Sequence, residues 1–98
     1  MIRLSGTLRC AVPQDAALVA GLLPDHLRLT RDEPGCLDFT VTPLPDGLSW
    51  AVEERFRDRP AFSAHQARAA ASAWGRETAH IARDYRIFED DAPPLAAP

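Results

Sequence analysis

The stretch Cys36-Leu37-Asp38-Phe39-Thr40-Val41-Thr42-Pro43-Leu44-Pro45-Asp46-Gly47-Leu48-Ser49-Trp50-Ala51-Val52-Glu53-Glu54-Arg55-Phe56 decides the fold. Its first part alternates, with Leu37, Phe39 and Val41 on one side and Asp38, Thr40 and Thr42 on the other, as in a half-buried strand. Leu44-Pro45-Asp46-Gly47 has turn chemistry. From Leu48 the alternation resumes: Trp50, Val52, Glu54 and Phe56 share one face, and Ala51, Glu53 and Arg55 the other. Two strands joined by a turn make a hairpin.

Working outward, the segment before the hairpin is helical. Val19, Leu22, Leu23, His26, Leu27 and Thr30 follow helical spacing from about Asp15 to Arg31. Pro24 inside this run predicts a bend or a break. Glu33-Pro34-Gly35 must end the helix, because Pro34 pushes Glu33 out of the α region. Before the helix, Ile2, Leu4, Leu8, Cys10 and Val12 alternate with Arg3, Ser5, Thr7 and Arg9, which predicts a first strand. Gly6 in its middle marks a bulge or a close approach. After the hairpin, Asp58 is an N-cap and Pro60 fits a first turn. One Ala-rich helix is expected to about Arg83, with Ala67, Ala70, Ala71, Trp74, Thr78 and Ile81 as its buried stripe and Gly75 loosening it. Tyr85 to Glu89 reads as a last strand.

The order β-α-β-β-α-β is the split βαβ, ferredoxin-like arrangement: an α+β fold with a four-stranded antiparallel sheet. Residues 1–89 are expected to form the domain and 90–98 a flexible C-terminal arm. Apolar residues on both faces of some strands leave one sheet face without a cover. That predicts a homodimer with facing sheets.

Composition narrows the function. The chain has 98 residues, 46% apolar and 26% charged, which fits one globular domain. Its net charge is −3, and every one of its 11 basic residues is arginine. An acidic chain without a basic stripe argues against nucleic acid. No apolar run is long enough to span a membrane, and the N-terminus alternates instead of forming a signal peptide, so a cytoplasmic location is expected. Cys10 and Cys36 make no disulfide framework, and His26, His65 and His80 have no metal-ligand spacing, so no metal is expected.

Two runs then carry a family likeness. Glu33-Pro34-Gly35-Cys36-Leu37 resembles the turn into the second strand of the antibiotic biosynthesis monooxygenase domain. The passage Glu54-Arg55-Phe56-Arg57-Asp58-Arg59-Pro60-Ala61-Phe62-Ser63-Ala64-His65 resembles that family's strand-to-helix passage ending in Ala-His. The resemblance implies a dimeric α+β barrel. It also implies oxidation of a small aromatic quinol, phenol or anthrone-type substrate by O2, with no metal, haem or flavin. Relatives on the same fold include isomerases and proteins without known chemistry, so a non-catalytic or isomerase-type ligand-binding protein is the alternative.

The same resemblance nominates site residues. His65 matches the Ala-His position and would accept a phenolic proton; otherwise it is a structural tie. Arg76 matches an arginine of the anthrone-oxidising branch and would pair with an oxyanion; otherwise it is a solvated helix arginine that pairs with His80 or makes a cap. Val52, Glu54, Phe56, Phe62 and Trp74 would form the substrate-binding wall. The chain departs from that branch: its asparagine and tryptophan read Val52 and Phe56 here, and its tyrosine reads Phe62. The resemblance argues against the haem-degrading branch, whose asparagine and tryptophan fall at Gly6 and His65 here and whose iron-ligand histidine falls near Gly75. Among the polar residues, Glu54 either pairs with an arginine such as Arg3 or Arg9, the reading the pattern favours, or has its pKa raised in a pocket. His26 reads as a satisfied core histidine, Trp50 as core or interface, and His80 as part of a solvated face.

Overall fold

The computed structural model describes residues 1–89, so the expected arm over 90–98 lies outside the described residues. The elements run β1 (Ile2–Arg9), α1 (Pro13–Arg31), β2 (Cys36–Pro43), β3 (Ser49–Phe56), α2 (Arg59–Ala71), α3 (Ala73–Glu77) and β4 (Ala82–Glu89). The four strands form one antiparallel sheet in the order β2-β3-β1-β4. This is the ferredoxin-like α+β fold that the element order predicts.

The alternation of β1 and β3 decides which side is covered. Ile2, Leu4 and Leu8 are buried with Trp50, Val52, Glu54 and Phe56 on the helix side of the sheet. The hairpin turn is closed by Asp46, whose Oδ1 accepts from the backbone N–H of Leu48 and Ser49, both at 2.9 Å. Gly47 takes the positive φ of 74° that this turn requires. Asp58 caps α2 by accepting from Ala61 N at 2.9 Å.

Four expectations change. Leu37 is the extra residue of a bulge between Cys36 and Asp38, which turns it out of the alternation and leaves it 54% exposed. Helix α1 runs unbroken through Pro24, because that residue lies on the solvent face, where the freed carbonyl of Ala20 meets water. The single long helix is two helices. Ser72 ends α2 in extended conformation, its hydroxyl donating to Ala69 O at 2.6 Å, and then caps α3 by accepting from Gly75 N at 3.3 Å. Because the axis changes there, Trp74, Thr78 and Ile81 are buried while Ala67, Ala70 and Ala71 are exposed.

The fourth change concerns the open sheet face. It carries Arg3, Ser5, Thr7 and Arg9 of β1, Asp38, Thr40 and Thr42 of β2, and Glu53 and Arg55 of β3. It is therefore mainly polar, with Ala51, Ala82 and Phe88 as its apolar members, and Arg3 lies over the Phe88 ring at 4.2 Å. The premise that both faces are apolar does not hold. Among the described residues, no helix is long and apolar enough to cross a membrane.

Gly6 is a close approach, not a bulge. It sits in the row Val41–Val52–Gly6–Tyr85 that crosses the sheet. A Cβ there would lie 2.1 Å from Asp84 O and 2.8 Å from the Tyr85 ring, so the missing side chain makes room for Tyr85 to lean inward. Gly6→Ala must displace backbone, and overpacking of this kind costs about 1–3 kcal/mol. Urea denaturation should show that loss, and an unchanged midpoint would contradict the tight β1–β4 approach.

Candidate functional site

A cavity of about 280 Å³ lies between the helices and the sheet. Its floor is Phe39, Val41, Val52, Glu54 and Tyr85 from the strands; its walls include His26 from α1, His65 from α2 and Trp74 from α3. The volume is at the low end for small-molecule sites, about 300–1,000 Å³. That suits a small, flat ligand.

His65 is the best-fixed group. The Asp58 cap sets the start of α2, and helical spacing then turns Ala61, Phe62 and His65 inward. His65 is 2% exposed, and its Nδ1 lies 2.8 Å from Glu33 Oε1. A carboxylate oxygen only accepts, so Nδ1 carries the proton and Nε2 keeps its lone pair. Glu33 is held in turn by Arg68, whose Nε donates to Oε2 at 2.7 Å while another of its nitrogens donates to Thr30 Oγ1 at 2.9 Å. Burial lowers the His65 pKa, and the Glu33 hydrogen bond opposes that shift. At neutral pH the ring is therefore an uncharged base.

Below the ring stands Glu54, 6% exposed on β3. Its Oε1 lies 3.8 Å from His65 Nε2, too long for a hydrogen bond, and has no hydrogen-bond partner. The expected ion pair with Arg3 or Arg9 is absent for a simple reason. Odd positions of β1 point to the open face, where Arg9 meets Asp84 at 3.8 Å and Arg3 meets Phe88. Burial, reinforced by the nearby Glu33, pushes the Glu54 pKa up to about 7.

His26 and Trp74 form one flat wall, their rings parallel within 5° and 4.4 Å apart. Phe39 meets His26 edge-on at 5.4 Å. His26 is not a satisfied core histidine: its Nδ1 is buried without a hydrogen-bond partner, and burial, with the nearby His65, lowers its pKa to about 3. Burial pushes the Tyr85 hydroxyl up to about 12, so it stays a neutral donor. Arg83 lies at the cavity edge with its guanidinium engaged by Thr78 O at 2.7 Å, Thr78 Oγ1 at 2.8 Å and Ile81 O at 2.9 Å.

The structure thus gathers His65, Val52, Glu54 and Trp74 around one cavity. Phe56 and Phe62 stand behind it, packed edge-to-face at 5.7 Å, with the Phe56 ring 4.9 Å from His65. Trp50 is core. Arg76 is elsewhere: it is exposed, and its guanidinium donates to Ala71 O instead of reaching His80 or the cavity. His80 pairs with Asp15 at 2.9 Å. Among the described residues, no group of three His, Cys, Asp or Glu side chains is placed to hold a metal ion. Sequence reading missed Glu33, Tyr85 and the open role of His26. His26 was visible on the inward stripe with Val19, Leu23 and Thr30, but nothing local showed that its nitrogen lacks a partner.

A ferredoxin-like sheet with a small, largely apolar cavity holding an oriented imidazole defines a class of small-molecule-binding α+β proteins. Residues 1–77 match the family model for antibiotic biosynthesis monooxygenase, and the chain belongs to that family. Solved structures agree in fold. A candidate antibiotic biosynthesis monooxygenase from Nitrosomonas europaea is 17% identical, with a TM-score of 0.79 over 94% of this chain and 100% of that one. One from Deinococcus radiodurans is 20% identical, with a TM-score of 0.71 over the whole of both chains. MupZ from Pseudomonas fluorescens is 16% identical, with a TM-score of 0.73 over 88% of this chain and 65% of that one. No curated protein matches the chain.

The buried histidines give a pH signature. His26 is neutral when folded but takes a proton near its ordinary 6.5 when unfolded. Its contribution is therefore present above 6.5 and lost as pH falls toward about 3, at about 1.4 kcal/mol per pH unit. Glu54 has the opposite sign: its stabilisation is present below 4.5 and lost as pH rises through about 7. The two partly cancel in the wild type, so the test is a difference. The stability gap between wild type and His26→Phe, from urea denaturation at a series of pH values, should move against the wild type as pH falls below 6.5. A pH-independent gap would contradict the neutral, buried His26.

Proposed function

We propose that this chain is a cofactor-independent monooxygenase that oxidises a small aromatic quinol, phenol or anthrone-type substrate with O2. The observation that carries the reading is His65, neutral, locked by Glu33 and presenting Nε2 beside the cavity. The parallel His26–Trp74 wall suits a flat ring. His65 takes the substrate proton, and the electron-rich anion passes an electron to oxygen. In an anthrone-type substrate the CH₂ becomes C=O, and the second oxygen atom leaves as water. The substrate supplies all the electrons, so the balance needs no further reductant.

Arg76 has no part in this scheme, since its guanidinium lies on the Ala71 carbonyl outside the cavity. Stabilisation of the anion falls instead to the neutral Glu54 acid and to Tyr85. Oxygen-electrode assays with a hydroquinone and an anthrone test the assignment. His65→Ala should slow oxygen uptake by about 10²- to 10⁴-fold, the range of a general base. Arg76→Ala should retain it. Unchanged turnover in His65→Ala, or no turnover by the wild type on either substrate, would overturn the reading.

The acting unit is proposed to be a homodimer. Exposed Ile87 and Phe88 on the edge strand β4 support it, since a second copy would bury them. Static light scattering should give twice 10.7 kDa, and a monomer at micromolar concentration would contradict it.

A further inference from the structure

We propose that the cavity selects flat aromatic ligands that carry a carboxylate, with Arg83 at its mouth holding that group and the ring lying inside against the His26–Trp74 wall. This names a substrate class for the cavity. It rests on the reading of the cavity as a substrate site, but not on its oxygen chemistry.

The mouth is the starting point. The exposed residues of the lining are Gln66, Ala70, Ala79 and Arg83. Three are neutral and two of those are alanines, so one cation stands at an otherwise uncharged and open entrance. Strand alternation puts it there. Arg83 pairs with Leu8 and Tyr85 with Gly6, so both lie on the helix side of the sheet. Asp84 between them pairs with Thr7 on the open face and meets Arg9 there at 3.8 Å. The acidic residue nearest in the chain is thereby turned away. Among the described residues, no carboxylate forms an ion pair with Arg83. Arg83 also lies about 13 Å along β4 from Ile87, four residues at about 3.3 Å each, clear of the exposed apolar pair Ile87 and Phe88.

The guanidinium is fixed without being neutralised. It donates to Thr78 O at 2.7 Å, Thr78 Oγ1 at 2.8 Å and Ile81 O at 2.9 Å, and the Tyr85 hydroxyl stands beside it. All of these acceptors are neutral. A guanidinium has five N–H groups, so these contacts leave donor capacity over. Its planar fork suits a carboxylate, which it can meet with two parallel bonds. A phosphate monoester carries about −1.5 to −2 at neutral pH and would need more than this one cation.

The interior leaves that charge unanswered. His26 and His65 are neutral, and burial, reinforced by Glu33, keeps Glu54 neutral below about 7. The field of Arg83 reaches inside: after burial, His65 and Arg68, it is one of the causes that lower the His26 pKa. An anionic group at the mouth therefore meets a net positive site, and its ring meets a wall of two rings within 5° of parallel.

The test is isothermal titration calorimetry with 2-naphthoate and 2-naphthamide near pH 6. The two share a ring system and differ in charge. Neither is a quinol, a phenol or an anthrone, so binding is read apart from turnover. The wild type should bind the carboxylate about tenfold more tightly than the amide. Raising NaCl from about 20 mM to about 500 mM should weaken the carboxylate alone, because the pair sits at an exposed mouth. Arg83→Gln, which keeps a donor for Thr78, should bring the two affinities together with the amide unchanged, and Arg83→Lys should keep part of the preference. If Arg83→Gln does not fold by circular dichroism, the Arg83 Nε–H resonance of the wild type decides: it should shift with the carboxylate and not with the amide. Equal affinities in the wild type, a preference that survives Arg83→Gln, equal loss of both probes in that variant, an Nε–H resonance that ignores the carboxylate, or no binding of either probe overturns the proposal. Carboxylate preference without oxygen uptake on a hydroquinone or an anthrone leaves this inference standing and removes the oxygenase reading. Oxygen uptake with equal affinities does the reverse.

Discussion

The Glu33 carboxylate holds the site together. From the turn after α1 it accepts from His65 and Arg68 on α2, tying that turn to the helix. Hydrogen bonds to a charged group contribute about 1.5–3 kcal/mol each, so this clamp is large against the stability of a small domain. It also decides the protonation pattern around one imidazole. Glu33 has two donors, whereas Glu54, on the other side of the ring, has none at Oε1. The donor-rich carboxylate serves as the acceptor, and the donor-poor one is pushed toward its neutral form.

The backbone makes the space that this chemistry needs. Without a side chain at Gly6, Tyr85 leans over β1. The break at Ser72 redirects the chain so that Trp74 lies flat on His26 instead of continuing the axis of α2. Gly75 allows α3 to close on the end of α2, since a Cβ there would lie 2.1 Å from Ala69 O. A sheet face that would otherwise fill with side chains instead carries a cavity with one acid and one base in it.

Much of the fold was legible because it follows local periodicity. The alternation of Trp50, Val52, Glu54 and Phe56, the Asp46 turn and the Asp58 cap are read from neighbours in the chain, and the element order then points to the topology. The misreadings share a cause. The bulge at Leu37, the break at Ser72 and the partner of Glu54 each depend on a strand register or a tertiary contact. An alanine-rich run from Pro60 onward has helical propensity throughout, so propensity alone could not locate the stop. The site was half legible. His65 carries a motif, but its partner Glu33 is 32 residues away and reads as a helix terminator and part of a turn, with nothing local to join it to His65. Arg76 matches an arginine only through the family resemblance, and the change of axis at Ser72 carries it outside the cavity.

A neutral Glu54 beside a neutral His65 sets the chemistry of the cavity, and isotope-edited infrared spectroscopy reads the protonation of Glu54 directly. With glutamate labelled at the side-chain carboxyl, the Glu54→Leu difference spectrum isolates this group. The expected result is a protonated C=O band at pH 5 that converts to the carboxylate pair as pH rises through about 7. A Glu54 already ionised at pH 5, titrating near its ordinary 4.5, would contradict it.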